Sequence, residues 1–109
     1  MSRTTAVAVL FLAAVLEAGG DALVRHGLQA SSTTLRLALF ALGAVVLLSY
    51  GYVVNRPPWD FGKLLGVYVV CFFVVAQAIS WLVFDQRPSG VTLLGGAFII
   101  AGGVIISLG

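Results

Sequence analysis

Glu17 and Asp21 stand four residues apart, with Arg25 four further on, inside the stretch VLEAGGDALVRHG. On a helix that spacing puts two carboxylates and a guanidinium on one face. The residues just before them, TTAVAVLFLAAVL, are apolar enough to lie in lipid. A charge near mid-membrane costs about 2.5–3.5 kcal/mol on insertion scales. The cost falls when the group faces a watery cavity or takes up a proton, and desolvation beside a second carboxylate favours the proton. Such a carboxylate can hold a proton or a cationic ligand, but not both comfortably. That exclusivity is the physical basis of antiport.

Depth separates the three residues. If the first span is Thr5 to Val24, a rise of 1.5 Å per residue puts Glu17 ~4 Å, Asp21 ~10 Å and Arg25 ~16 Å from the midplane. Arg25 can therefore snorkel to the headgroups, and Asp21 can reach toward it, so an interfacial ion pair is expected there. No apolar span carries a basic residue to neutralise Glu17. Ala13, Ala14 and Gly20 are the small residues of its face and leave room beside the carboxylate for a ligand or for another helix. Glu17 is the expected proton and substrate site, Asp21 an accessory to it, and the small residues its pocket lining.

The rest of the chain must hold that face in lipid. Of its 109 residues 61% are hydrophobic and 9% charged, and mean hydropathy is +1.11. A soluble domain of this size cannot hide so much apolar surface. Four stretches approach the roughly 20 apolar residues that span hydrocarbon as a helix. They cover about residues 4–25, 36–54, 62–84 and 90–108 of one domain; of the apolar runs inside them, Thr5–Val24, Leu37–Val54, Leu64–Phe84 and Val91–Gly109, only the first carries charge. Nothing alternates polar and apolar residues as a membrane β-barrel strand does. The expected fold is an all-α integral membrane protein of four transmembrane helices. The amino terminus lacks a small-residue cleavage site leading into a polar mature chain, so it is expected to stay uncleaved.

Short connections, RHGLQASSTTLR, NRPPWDFGK and DQRPSG, join the helices, with Pro57, Pro58 and Pro88 ending or starting them. Tyr50, Tyr52, Trp59 and Trp81 are expected in interfacial aromatic belts. Arg3, Arg56 and Lys63 fall on one side of the membrane, and Arg25, Arg36 and Arg87 on the other. Three against three gives the positive-inside rule no preference, so both orientations and an antiparallel pair of copies are open. In the fourth helix Gly95 and Gly96 precede Gly102 and Gly103 by seven residues, nearly two turns. A stripe of small residues lets membrane helices approach closely, here expected against a second copy. Cys71 lies alone mid-span, so neither a disulfide framework nor a metal cluster is available, and no phosphate loop, nucleophile–His pair or cofactor motif is present. The basic balance is ordinary for membrane loops and does not indicate nucleic acid. An enzyme is not expected.

These features together resemble the small multidrug resistance family, the four-helix branch of the drug/metabolite transporter superfamily. The family's membrane glutamate, its E-x-x-G and a basic residue eight positions on look matched by Glu17, Gly20 and Arg25. SWLVFDQRPS is similar to the family's end of helix three and following loop, and GGAFIIAGGVII to its glycine-bearing dimerisation helix. The resemblance implies an antiparallel homodimer in which two glutamates share a central pocket where protons and cationic substrates compete. It makes Glu17 the shared site, Gly95 and Gly102 part of the dimer contact, and Tyr68 the replacement for a binding-site tryptophan on helix three. Four departures stand out. Asp21 occupies what is usually an uncharged position. Val70 and Phe72 occupy places of hinge glycines, leaving Gly66 as the candidate bend. Leu65 replaces a tyrosine. On helix two only Ser49 and the tyrosines near its end are polar.

The leading expectation is a proton-coupled antiporter of small organic cations, guanidinium-like or quaternary ammonium, in a bacterial inner membrane. An alternative is a non-catalytic partner subunit of a heterodimeric transporter or lipid-carrier flippase. A third is a structural protein whose glutamate only joins helices.

Overall fold

A computed structural model describes all residues, 1–109, as four helices: α1 (Arg3–Gln29), α2 (Thr33–Val54), α3 (Phe61–Phe84) and α4 (Gly90–Ser107). Each is long and apolar enough to cross a bilayer. Two boundaries differ from the expected spans. α1 runs on to Gln29 instead of stopping near residue 25, and α2 begins at Thr33 instead of 36. Hydropathy marks only the part of a helix that suits lipid, whereas the backbone continues until a cap ends it. At 27 residues α1 is about 40 Å long, which exceeds the ~30 Å hydrocarbon and carries its last turn beyond it or tilts it.

The ends are closed by local chemistry. Ser2, Ser32 and Ser89 each accept a hydrogen bond from a backbone N–H three residues on, at 3.1 Å, satisfying donors that the first turn leaves free. The end of α1 is served from the next helix. Arg36 donates through Nε to the carbonyl of Gly27 (3.2 Å) and through Nη2 to that of Ala30 (3.1 Å). Asp85 ends α3 in the left-handed region, with φ 52°, and its N–H and that of Gln86 both return to the carbonyl of Ser80.

α1 packs against both α2 and α3, and α4 packs chiefly against α3. The resulting order, α2–α1–α3–α4, is an open slab measuring 49 × 33 × 19 Å, about two helix diameters thick. Only 16 residues are buried. The small core joins Leu10, Ala13 and Ala14 of α1 to Val54 of α2 and to Leu64, Val67, Tyr68 and Cys71 of α3. α1 and α2 meet closely where Gly20 faces Gly43; a Cβ on Gly20 would stand 2.7 Å from Leu47 Cδ2 and 3.4 Å from the Gly43 carbonyl. α3 meets α4 where Gly66 faces Ile106 and Gly103 faces Val70. Backbone proximity at small residues is how helices associate where lipid supplies no hydrophobic drive. Gly66 is thus a packing point in a helix that runs unbroken from Phe61 to Phe84.

Both chain ends and the α2–α3 connection share one end of the slab. Arg3 donates to the carbonyl of Ser107 (2.7 Å), and Lys63 Nζ to that of Gly109 (2.8 Å) while lying 5.4 Å over the Trp59 ring.

Candidate functional site

Glu17 sits half-buried on α1, facing α3. Its Oε1 accepts a hydrogen bond of 2.9 Å from the hydroxyl of Tyr68, 51 residues away in the chain. Tyr68 itself is only 4% exposed, so its hydroxyl is fixed by a packed ring. The donor is neutral, and no cationic side chain meets Glu17 there. Every basic side chain except His26 is engaged elsewhere: Arg3, Arg36 and Lys63 on carbonyls, Arg25, Arg56 and Arg87 over aromatic rings.

Two more aromatic rings extend the wall around Glu17. Tyr50 of α2 lies 5.6 Å from the Tyr68 ring, and Phe72, one turn along α3, lies 6.1 Å from it. Aromatic faces beside a carboxylate suit an organic cation, since each ring attracts positive charge through its quadrupole. Tyr50 is a site residue that the belt expectation misplaced. α2 returns antiparallel to α1 with Gly43 opposite Gly20, and that register puts Tyr50 opposite Ala13, one turn from Glu17, with its ring against Tyr68. The hydropathy of α2 alone put Tyr50 near a membrane face. Its signal was the crossing glycines, which set the register. Ser49, the other polar group of α2, turns back on its own helix and donates to the carbonyl of Val45 (2.9 Å).

The small residues expected to line a pocket do something else in the protomer. Ala13 and Ala14 are fully buried in the core, and Gly20 is the crossing point with α2. They make room for helices. The open space lies one turn toward the α1 carboxyl end, in a groove of about 190 Å³ between α1 and α3. Asp21 and Arg25 are in its lining, with Phe72, Ser80, Phe84 and Gln86. The expected Asp21–Arg25 ion pair gives way to a different arrangement: the Arg25 guanidinium lies 5.4 Å over the Phe84 ring. His26 stacks on the same ring, with centroids 5.1 Å apart.

The α4 glycines divide by face. Gly96 and Gly103 are buried against Phe73 and Val70 of α3, so they serve the protomer. Gly95 and Gly102 have open space where a side chain would be. Cys71 is buried among core side chains.

Fold and site together define a small all-α membrane protein with a carboxylate held inside its helix pack. Comparison with known sequences gives the family. The chain is 31% identical over 103 residues to a UPF0060 membrane protein of Herpetosiphon aurantiacus, covering 93% of this chain and 91% of the relative. It is 37% identical over 100 residues to a UPF0060 membrane protein of Nocardia farcinica, covering 90% and 87%. A UPF0060 membrane protein of Clostridium beijerinckii is 28% identical over 108 residues, with 97% and 95% covered. The chain belongs to the UPF0060 membrane protein family. No protein-family model matches it, and no solved structure does.

Proposed function

We propose that this chain is half of a proton-coupled antiporter that exports small organic cations from bacteria, working as an antiparallel homodimer in the inner membrane. The observation that carries this reading is Glu17, a carboxylate inside an apolar helix pack whose hydrogen-bond donor is the neutral hydroxyl of Tyr68. A purely structural glutamate would be expected to have its charge cancelled or several donors converging on it. Neutral tyrosine hydroxyls, with no cation among them, leave the carboxylate open to a proton or to a guest cation. The Tyr50, Tyr68 and Phe72 rings offer that guest a cation-attracting wall.

Exchange follows from competition at one group. A cation that displaces the proton on Glu17 must be released before the proton returns, so the two move in opposite directions as the pocket opens to alternate sides. The resemblance of the Glu17–Gly20–Arg25 spacing and of SWLVFDQRPS to small multidrug resistance transporters supports the same scheme. Equal numbers of basic residues at the two ends support a dimer of oppositely oriented copies, and the open face at Gly95 and Gly102 offers a surface for it.

Reconstitution tests this directly. In proteoliposomes with an imposed proton gradient, Glu17→Gln is expected to reduce cation exchange to the level of empty liposomes while the dimer still forms. Exchange at the wild-type rate by Glu17→Gln would overturn the proposal.

A further inference from the structure

The groove between α1 and α3 holds one acid and one base that do not neutralise each other. Asp21 and Arg25 are both exposed and both border the same space of about 190 Å³. Four residues apart on one helix, they could close into an ion pair, which gains little at an exposed site. Instead the guanidinium is drawn over Phe84, with His26 stacked on the same ring. The carboxylate of Asp21 is left facing the groove. Across it stand Phe72 and Phe84 as apolar walls, with Ser80 and Gln86 as neutral hydrogen-bonding groups.

We propose that this groove binds a zwitterion, an ammonium-type head seated on Asp21 and an anionic phosphate or carboxylate seated on Arg25. The two residues are one helical turn apart, about 6 Å along the axis, and their side chains border one space, which suits a ligand whose opposite charges are separated by a short linker. A guanidinium offers a planar fork of donors suited to phosphate or carboxylate, and its position over the Phe84 ring does not consume those donors. The ring of Phe72 adds a face for the cationic head. A simple cation would gain Asp21 and meet repulsion from Arg25; a simple anion would meet the reverse. Only a ligand carrying both signs satisfies the groove.

Glu17 does not border the groove, although Phe72 stands between the two sites, and the proposal does not depend on the antiporter reading. Its depth, at the carboxyl end of a helix longer than the hydrocarbon, lets two sources supply the same chemistry: the head of a zwitterionic phospholipid or a soluble zwitterion.

The test compares ligands that differ only in charge. Purified protein in a non-ionic detergent is titrated with glycerophosphoethanolamine, ethanolamine and glycerol phosphate, with binding read by calorimetry. The zwitterion is expected to bind at least tenfold more tightly than either singly charged compound. Asp21→Asn and Arg25→Gln should each erase that preference. The charge-swapped double variant, Asp21→Arg with Arg25→Asp, should recover it, which a merely structural role could not produce. Thermal unfolding of each variant checks folding. A parallel arm uses nanodiscs of phosphatidylethanolamine or phosphatidylglycerol. Stronger protection from unfolding in phosphatidylethanolamine, lost in both single variants, assigns the site to lipid; binding of the soluble ligand with no lipid preference assigns it to a solute. Equal affinity for all three soluble compounds, with no lipid preference, overturns the proposal. So does wild-type behaviour of both single variants.

Discussion

At the scale of single residues, the Glu17–Tyr68 contact sets a half-buried carboxylate against a rigid partner. The Tyr68 ring is in the core and its hydroxyl is at the carboxylate, so one side chain both packs and donates. The two roles can be separated. Tyr68→Phe keeps the ring and removes the donor, so thermal stability is expected to fall by no more than about 1–2 kcal/mol, the range of one hydrogen bond. The pH dependence of cation exchange should move, because the donor that holds the Glu17 carboxylate is gone. Tyr68→Ala also empties a core position and should cost about 3–5 kcal/mol. Unfolding curves set beside pH profiles of exchange decide it; a Phe variant with an unchanged profile would remove Tyr68 from the proton chemistry. Glu17 and Tyr68 could both be picked from the sequence, the first by its cost in lipid and the second by a family pattern. Tyr50 could not be, because its place beside Tyr68 depends on how α2 lies against α1.

Helix against helix, the glycines sort by what faces them. Gly20 and Gly43 hold α1 and α2 close, and a larger side chain at either must push Leu47 or Val24 aside. Gly43→Leu is expected to destabilise the protomer by about 1–3 kcal/mol, the usual cost of overpacking a close contact. On α4 the same chemistry predicts a split. Gly103→Leu strikes Val70 and should destabilise the protomer, while Gly102→Leu has open space and should leave unfolding unchanged. If copies pair across that open face, Gly102→Leu should still weaken cross-linking between copies in the membrane. The comparison needs only denaturation curves and cross-linking yields for the three variants. A seven-residue glycine repeat was readable from the sequence as a single stripe. Which member of each pair turned toward α3 was not, since adjacent residues on a helix differ by 100° and either could face a neighbour.

For the whole molecule, the flat order α2–α1–α3–α4 leaves most of α4 and the outer side of α2 uncovered by the protomer. Exposed side chains such as Leu48, Val91, Leu94 and Phe98 would be a liability in water and are at home in lipid. The charge distribution belongs to this scale as well. Three basic residues at each end give the membrane no side to favour. A tag on the carboxyl terminus is therefore expected on both sides of the membrane in comparable amounts. Adding two lysines to the α1–α2 connection should drive the population to one orientation and lower exchange with it. Protease accessibility of the tag in sealed vesicles measures the first, and exchange assays the second. A wild-type tag found on a single side would argue for a partner of different sequence.

The sequence alone determined that this is a four-helix membrane protein with one carboxylate deep in its first span, because apolar length and charge placement act through local chemistry and solvent. Helix caps at Ser2, Ser32 and Ser89 are local for the same reason. Tertiary structure decided what those elements do to one another. It put Tyr50 beside Tyr68, turned Ala13 and Ala14 into core, drew Arg25 to Phe84 and opened the groove at Asp21. Each of these outcomes depends on the rotation and register of one helix against another. Those are fixed by close contacts between residues tens of positions apart, and no run of adjacent residues encodes them.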